Sequence, residues 1–227
     1  MQELNKRYRI KVTKLNELRY LSHLDWQSLI IKTFRRMGLK LAMSQGFNPT
    51  PRISLSPALP IFIESDCELV YFETIEAIPD NFKELFEANI SDNVKLVDLI
   101  QLKSEIKRPE PMETLIAWAE YRAIPTKIEG ALPNFDEILY NTEKCLSVDD
   151  LFITKINKKG IEKTINYKKS LHSLKFENNV LEFVLKTGQD EEIPALRADE
   201  FLSVVYGNNI QFDVKRIKFL DRNFIEI

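Results

Sequence analysis

Two hydrophobic periods succeed one another along this chain in the same order twice, and that order limits the folds open to it. Residues 7–14 alternate, with Tyr8, Ile10 and Val12 on one side and Arg7, Arg9 and Lys11 on the other. Period two predicts a strand with one solvated face. Ser22-His23-Leu24-Asp25 then opens a helix: Ser22 is a capping residue, Asp25 stands where it can bond back, and Leu21 and Trp26 form a hydrophobic staple. Trp26, Leu29, Ile30, Thr33, Phe34 and Met37 recur at helical spacing, and Gly38 ends the run. Strands follow at 52–56 and 68–75, a helix at 80–89 and a strand at 94–102. After a Pro-containing linker at 104–111 the order returns: strand 114–124, helix 135–145, strands 163–176 and 180–186 around Asn178-Asn179, helix 199–206 and strand 210–220. The last strand slips phase at Lys215-Arg216, as a bulge would make it. The expected fold class is α+β, as two tandem ferredoxin-like β-α-β-β-α-β units. They would occupy residues 1–103 and 112–227.

The charge is distributed unevenly over these elements. The 227 residues carry a formal net charge of -2. Residues 1–60 hold a net +8, residues 61–150 a net -12 and residues 151–227 a net +2. The basic quarter includes Arg7, Arg9, Lys11, Arg35 and Arg36. A second basic cluster contains Lys155, Lys158, Lys159, Lys163, Lys168 and Lys169, with Lys175 beyond it. Such clusters attract phosphate backbones or serve as solvated faces.

Several chemistries are excluded by what is scarce. The two cysteines, Cys67 and Cys145, and the two histidines, His23 and His172, occur in no metal-ligand spacing. No metal or other cofactor is expected, and a protein-ligated iron–sulfur cluster would need more cysteines. The six glycines form no phosphate loop and no dinucleotide fingerprint. Sparse cysteine fits a reducing cytoplasm. No apolar run approaches the ~18 residues of a membrane span, and the N-terminus lacks the apolar core of a signal peptide.

One segment, Arg19 to Ser65, is denser in polar and aromatic groups than packing requires. Within it, Gly46 permits a sharp turn, while Pro49 and Pro51 restrict Asn48 and Thr50. A stiff loop carrying Gln45, Phe47, Asn48 and Arg52 suits a flat ring or an anionic group. The alternative is a structural crossover in which Phe47 plugs the core and Arg52 pairs with an acid. Arg19, Tyr20, His23, Asp25, Ser44, Gln45, Gly46, Phe47, Asn48, Arg52 and Ser54 form the expected substrate-binding set.

These motifs resemble the radical-SAM-linked protein family, a bacterial family whose members look like partners of, or extensions to, cobalamin-binding radical-SAM proteins. Arg19-Tyr20-Leu21-Ser22-His23-Leu24-Asp25, Ser44-Gln45-Gly46-Phe47-Asn48-Pro49 and Pro51-Arg52-Ile53-Ser54 match its pattern. Two positions depart from it. Thr50 stands where the family usually has histidine, and Phe62 stands near a family glycine before Glu64-Ser65. Threonine does not transfer protons near neutral pH as imidazole does, which weakens a catalytic reading. The resemblance implies a radical-SAM enzyme as partner.

Three functions compete on this reading. The first is a non-catalytic accessory module that presents RNA or another anionic substrate to that enzyme. The second is a protein–protein adaptor that docks it through the acidic middle. The third is a metal-independent endoribonuclease with His23 as its acid or base. It rests on a fold-level analogy to the tandem ferredoxin-like ribonucleases that process CRISPR repeats.

Overall fold

A computed structural model describes residues 5–103, 112–126, 133–156 and 160–227. The fold is mixed α+β, and the chain divides into two compact units, Met1–Leu115 and Ile116–Ile227.

In the first unit, β1 (Lys6–Lys14) lies between β3 (Ile63–Thr74) and β4 (Leu96–Leu102), antiparallel to both. The short β2 (Ile53–Leu55) pairs with Val70–Phe72 of β3, so the strand order is β4-β1-β3-β2. The alternation of β1 sets which residues are covered. Tyr8, Ile10 and Val12 are buried in one core with Trp26, Ile30 and Phe34 of α1 (His23–Arg36) and Phe82 and Phe86 of α2 (Phe82–Ala88). Phe34 is the centre of that core. Its ring lies 4.5 Å from Phe72, 6.3 Å from Phe82 and 6.1 Å from Phe86.

The first turn of α1 is built as the sequence requires. The Asp25 backbone N–H donates to Ser22 Oγ at 3.2 Å, and the Ser22 hydroxyl donates to Asp25 Oδ2 at 2.6 Å. Leu21 packs on the core that holds Trp26. At the other end Gly38 takes φ 74°, which costs glycine little.

In the second unit, β5 (Trp118–Thr126) is flanked by β9 (Val180–Lys186) and β10 (Gln211–Leu220), and β8 (Leu171–Glu177) pairs with β9. The order is β10-β5-β9-β8. The β8–β9 turn places Asn178 and Asn179 at φ 50° and 62°, the left-handed pair a tight hairpin needs. Asn134 caps α4 (Phe135–Ser147) through the Glu137 N–H, and Gly207 ends α5 (Ala198–Tyr206). Thr142 and Tyr206 join the two helices through their hydroxyls at 2.8 Å. The pairing of β10 with β5 shifts between Arg216 and Lys218.

Three expectations change. The segment 163–176 is not one strand: β7 (Glu162–Asn166) pairs with β6 (Phe152–Ile156) in a separate hairpin. A 3-10 turn at Lys168–Ser170 then leads into β8. Tyr167, 2% exposed, breaks the alternation there by turning inward. Residues before Trp118 form a short helix, α3 (Met112–Leu115), rather than the start of a strand. β3 begins at Ile63, five residues before the alternation 68–75 suggested, and nearly all of it is buried. The expected linker 104–111 lies outside the described residues.

Removing the central ring tests the core. Phe34→Ala is expected to lower the unfolding free energy by about 3–5 kcal/mol in urea titrations, the range for deleting a buried phenylalanine. A loss below about 1 kcal/mol would contradict this packing.

Candidate functional site

The segment Arg19–Ser65 does not gather into one site. It supplies side chains to both ends of β3, separated by about 35 Å of strand at ~3.3 Å per residue.

At the Glu73 end, a loop of residues 44–50 projects from a hydrogen-bonded stem. The Ala42 N–H donates to the Glu73 carbonyl at 2.8 Å, and the Arg52 N–H to the Ala42 carbonyl at 2.8 Å. Met43 bridges Pro51. The neck is closed three times: Ser44 N–H to the Thr50 carbonyl at 2.8 Å, Thr50 N–H to Ser44 Oγ at 3.0 Å, and the two hydroxyls at 3.2 Å. Thr50 therefore acts in this chain as a latch. Beyond the neck Gln45, Gly46, Phe47 and Asn48 are exposed, and Phe47 is 101% exposed. Phe47 does not plug the core.

Below the stem is a buried acid with converging donors. Glu73, its side chain 5% exposed, accepts from Tyr71 Oη at 2.7 Å, Asn5 Nδ2 at 3.0 Å and Arg52 at 3.4 Å. The Arg7 Nε lies 3.5 Å from its other oxygen. Burial alone would raise the Glu73 pKa. The bonds from Asn5 and Tyr71 and the charges of Arg52 and Arg7 outweigh that and hold it below the usual carboxylate range. Burial, with the bond to Glu73, pushes the Tyr71 phenol well above its ordinary value. Arg52 also donates from Nε to the Met43 carbonyl at 3.2 Å, which fixes its fork while its side chain stays 41% exposed. Ser54, on β2, pairs with Tyr71 in the ladder.

At the other end, Arg19 and Tyr20 close a 3-10 turn before α1. The Arg19 guanidinium lies 5.6 Å over the Tyr20 ring, and Tyr20 meets Phe62 edge to face at 5.6 Å. The Phe62 N–H donates to the Arg19 carbonyl at 3.0 Å. Phe62 holds φ 76°, a left-handed value that is an outlier for a bulky residue. Phe62 is 68% exposed and Tyr20 is 53% exposed. His23 is half-buried at the first position of α1, and the Asp25 carboxylate accepts from Ser22.

Many of the basic residues have intramolecular partners. Arg7 pairs with Glu73 as described. Burial draws the Arg9 pKa down, with Asp98 opposing. Arg36 donates to Thr33 and to the Asn89 carbonyl. Lys155 pairs with Glu200 at 2.7 Å, and Lys168 donates to the Cys145 carbonyl at the end of α4 at 2.7 Å. Lys11 is half-buried, Arg35, Lys163 and Lys169 are exposed, and Lys158 and Lys159 lie outside the described residues. Among the described residues no three His, Cys, Asp or Glu side chains are grouped to hold a metal ion.

The family model described as an uncharacterized protein conserved in bacteria, DUF2344, matches residues 7–194. The chain belongs to the DUF2344 family. Two solved structures align with this DUF2344 chain at low similarity. One is a Cbf5-Nop10-Gar1 complex, at 11% identity and TM-score 0.40 over 92% of the chain, which spans 48% of that structure's chain. The other is described as a "putative glycine cleavage system transcriptional repressor", at 7% identity and TM-score 0.27, covering 97% of this chain and 100% of that one. A comparison with curated protein sequences finds no match.

Three residues of these two ends escaped the sequence reading of this DUF2344 chain: Asn5, Tyr71 and Glu73. Tyr71 and Glu73 sit two apart on β3, but a strand buried on both sides gives no sign of which acid will meet an arginine.

Two measurements probe the ends separately. Because the folded Glu73 pKa is depressed, its cluster stabilises the fold above the unfolded carboxylate's value, ordinarily 4.5, and that stabilisation is lost as pH falls through the folded value. Glu73→Gln is expected to cost about 3 kcal/mol at pH 7 and to flatten the acid limb of a stability–pH curve. At the far end Phe62→Gly relieves the left-handed backbone. It is expected to raise the unfolding free energy by about 0.5–1 kcal/mol, where glycine elsewhere lowers it.

Proposed function

We propose that this chain is a non-catalytic accessory module that presents RNA, or another anionic substrate, to a separate radical-SAM enzyme. The observation that carries the reading is the loop 44–50: a phenylalanine held wholly in solvent on a closed neck, flanked by the amides of Gln45 and Asn48. An exposed ring on a stiff support is the geometry on which unpaired bases stack. Arg52, already oriented by Met43 and Glu73, stands at the base of the same stem for an anionic group. The partner enzyme and the cytoplasmic setting rest on the motif resemblance and the cysteine usage. We read the two units as tandem ferredoxin-like folds, a reading supported by the order β4-β1-β3-β2 in one and β10-β5-β9-β8 in the other.

A second reading, an adaptor that docks the enzyme through protein contacts, is favoured by one observation. Arg7, Arg36, Lys155 and Lys168 are bonded within the chain, which lowers the charge left for phosphates. An endoribonuclease reading draws less support. His23 opens a capped helix, and the nearby Asp25 is committed to Ser22.

Fluorescence anisotropy with single-stranded RNA separates them. The module is expected to bind at 50 mM salt, to lose most of that affinity by 200 mM, and to weaken about tenfold in Phe47→Ala. Absence of binding at low salt, with co-purification of the enzyme unaffected by ribonuclease, would leave the adaptor. RNA cleavage that disappears in His23→Ala would overturn the non-catalytic reading.

A further inference from the structure

Phe62 and Tyr20 play no part in the loop 44–50, yet they join Phe47 as exposed aromatic residues of the first unit. Phe62 holds a left-handed backbone at 68% exposure, beside Tyr20 at 53%. A buried phenylalanine in such a conformation would be explained by packing. An exposed one gains little from burial, so the fold carries the strain without the usual return. The Arg19 guanidinium over Tyr20 adds a cation to the same platform.

The helix between the two aromatic positions is basic on its outer side. Tyr20 ends three residues before α1, and the loop begins after it, where the Ile75 N–H donates to the Lys40 carbonyl. Lys32 and Arg35 are exposed on α1, Arg36 is bonded to Thr33 and the Asn89 carbonyl, and the helix's acid, Asp25, accepts from Ser22. The helix is about 21 Å long. Aromatic rings at both ends and cations between them match the alternation of bases and phosphates in an extended single strand.

We propose that Tyr20–Phe62 and Phe47 are two stacking stations of one track along α1, and that the track takes single-stranded RNA long enough to reach both. This rests on the RNA reading above and adds to it a minimum length. Phe62 immediately precedes β3, and the stem of the Phe47 loop bonds to Glu73 near that strand's other end, about 35 Å along it at ~3.3 Å per residue. A splayed strand of roughly six nucleotides or more spans that, inside the range of about 4–16 nucleotides that single-strand sites occupy. A 4-nucleotide strand reaches one station, and a 12-nucleotide strand reaches both.

The full chain should be titrated with single-stranded oligonucleotides of 4, 8, 12 and 16 nucleotides and with a 12-base-pair duplex at 50 mM salt. Phe62→Gly removes one ring while relieving its backbone, and Phe47→Ala removes a ring that touches nothing, so both variants are expected to fold. The track predicts that 12-mer affinity exceeds 4-mer affinity by at least tenfold and then levels off. Each variant should lower 12-mer affinity about tenfold while leaving the 4-mer within threefold, and the duplex should bind no better than the 4-mer. Single-strand binding that ignores length and is untouched by Phe62→Gly, while Phe47→Ala still weakens it, overturns the track and leaves the RNA reading standing. A duplex bound as well as the single strand also overturns the track. No binding of any strand removes the RNA reading and the track with it.

Discussion

The carboxylate of Glu73 is the point on which the first unit's outer structure depends. Taking a charge out of water costs several kcal/mol, and a buried acid persists only when donors surround it. Here they arrive from separate stretches of chain: Asn5 and Arg7 around the start of β1, Arg52 from the stem, and Tyr71 from β3 itself. One charge thus ties the start of the chain to a loop some 45 residues later. The stem's backbone bonds to the same residue, since Glu73 accepts from Ala42 and donates to Arg52 through its main chain. The exposed ring of Phe47 is stiff because its support is anchored at a site where letting go would strand a charge.

That anchoring assigns Arg52 two duties. Its Nε and one terminal nitrogen are committed to Met43 and Glu73, and the rest of the guanidinium faces solvent. Pairing with an acid and meeting a ligand are therefore compatible for this residue. The same logic separates the other basic residues. Arg36 and Lys168 donate to carbonyls around the ends of α2 and α4, where cations complement the helix dipole, so their place in a basic cluster says little about phosphate contact.

Periodicity made the main elements legible. Alternation over residues 7–14 and helical spacing over 26–37 are read directly, and the cap at Ser22, the stop at Gly38 and the Asn178-Asn179 turn follow from local chemistry. The β6–β7 hairpin was not legible, because Tyr167 interrupts an alternation that otherwise continues into β8. For the candidate site, the sequence marked the loop and its prolines but treated Arg19–Ser65 as a single constellation. Proximity in sequence misled there: a 12-residue strand, β3, sends its two ends far apart. Glu73 and Tyr71 were hidden because burial on both faces of β3 erases the polar–apolar alternation that would have set them apart.

Phe62 has a consequence beyond its immediate neighbours. A left-handed phenylalanine costs on the order of 1 kcal/mol, and stability differences of that size change the ratio of folded to unfolded chains about fivefold. In a cell, that ratio governs how many copies escape chaperones and proteases. The number of functional molecules, and not only what each one binds, is thereby linked to keeping an aromatic ring at this turn. A lineage that exchanged it for glycine would hold more of the protein and lose one of its exposed rings.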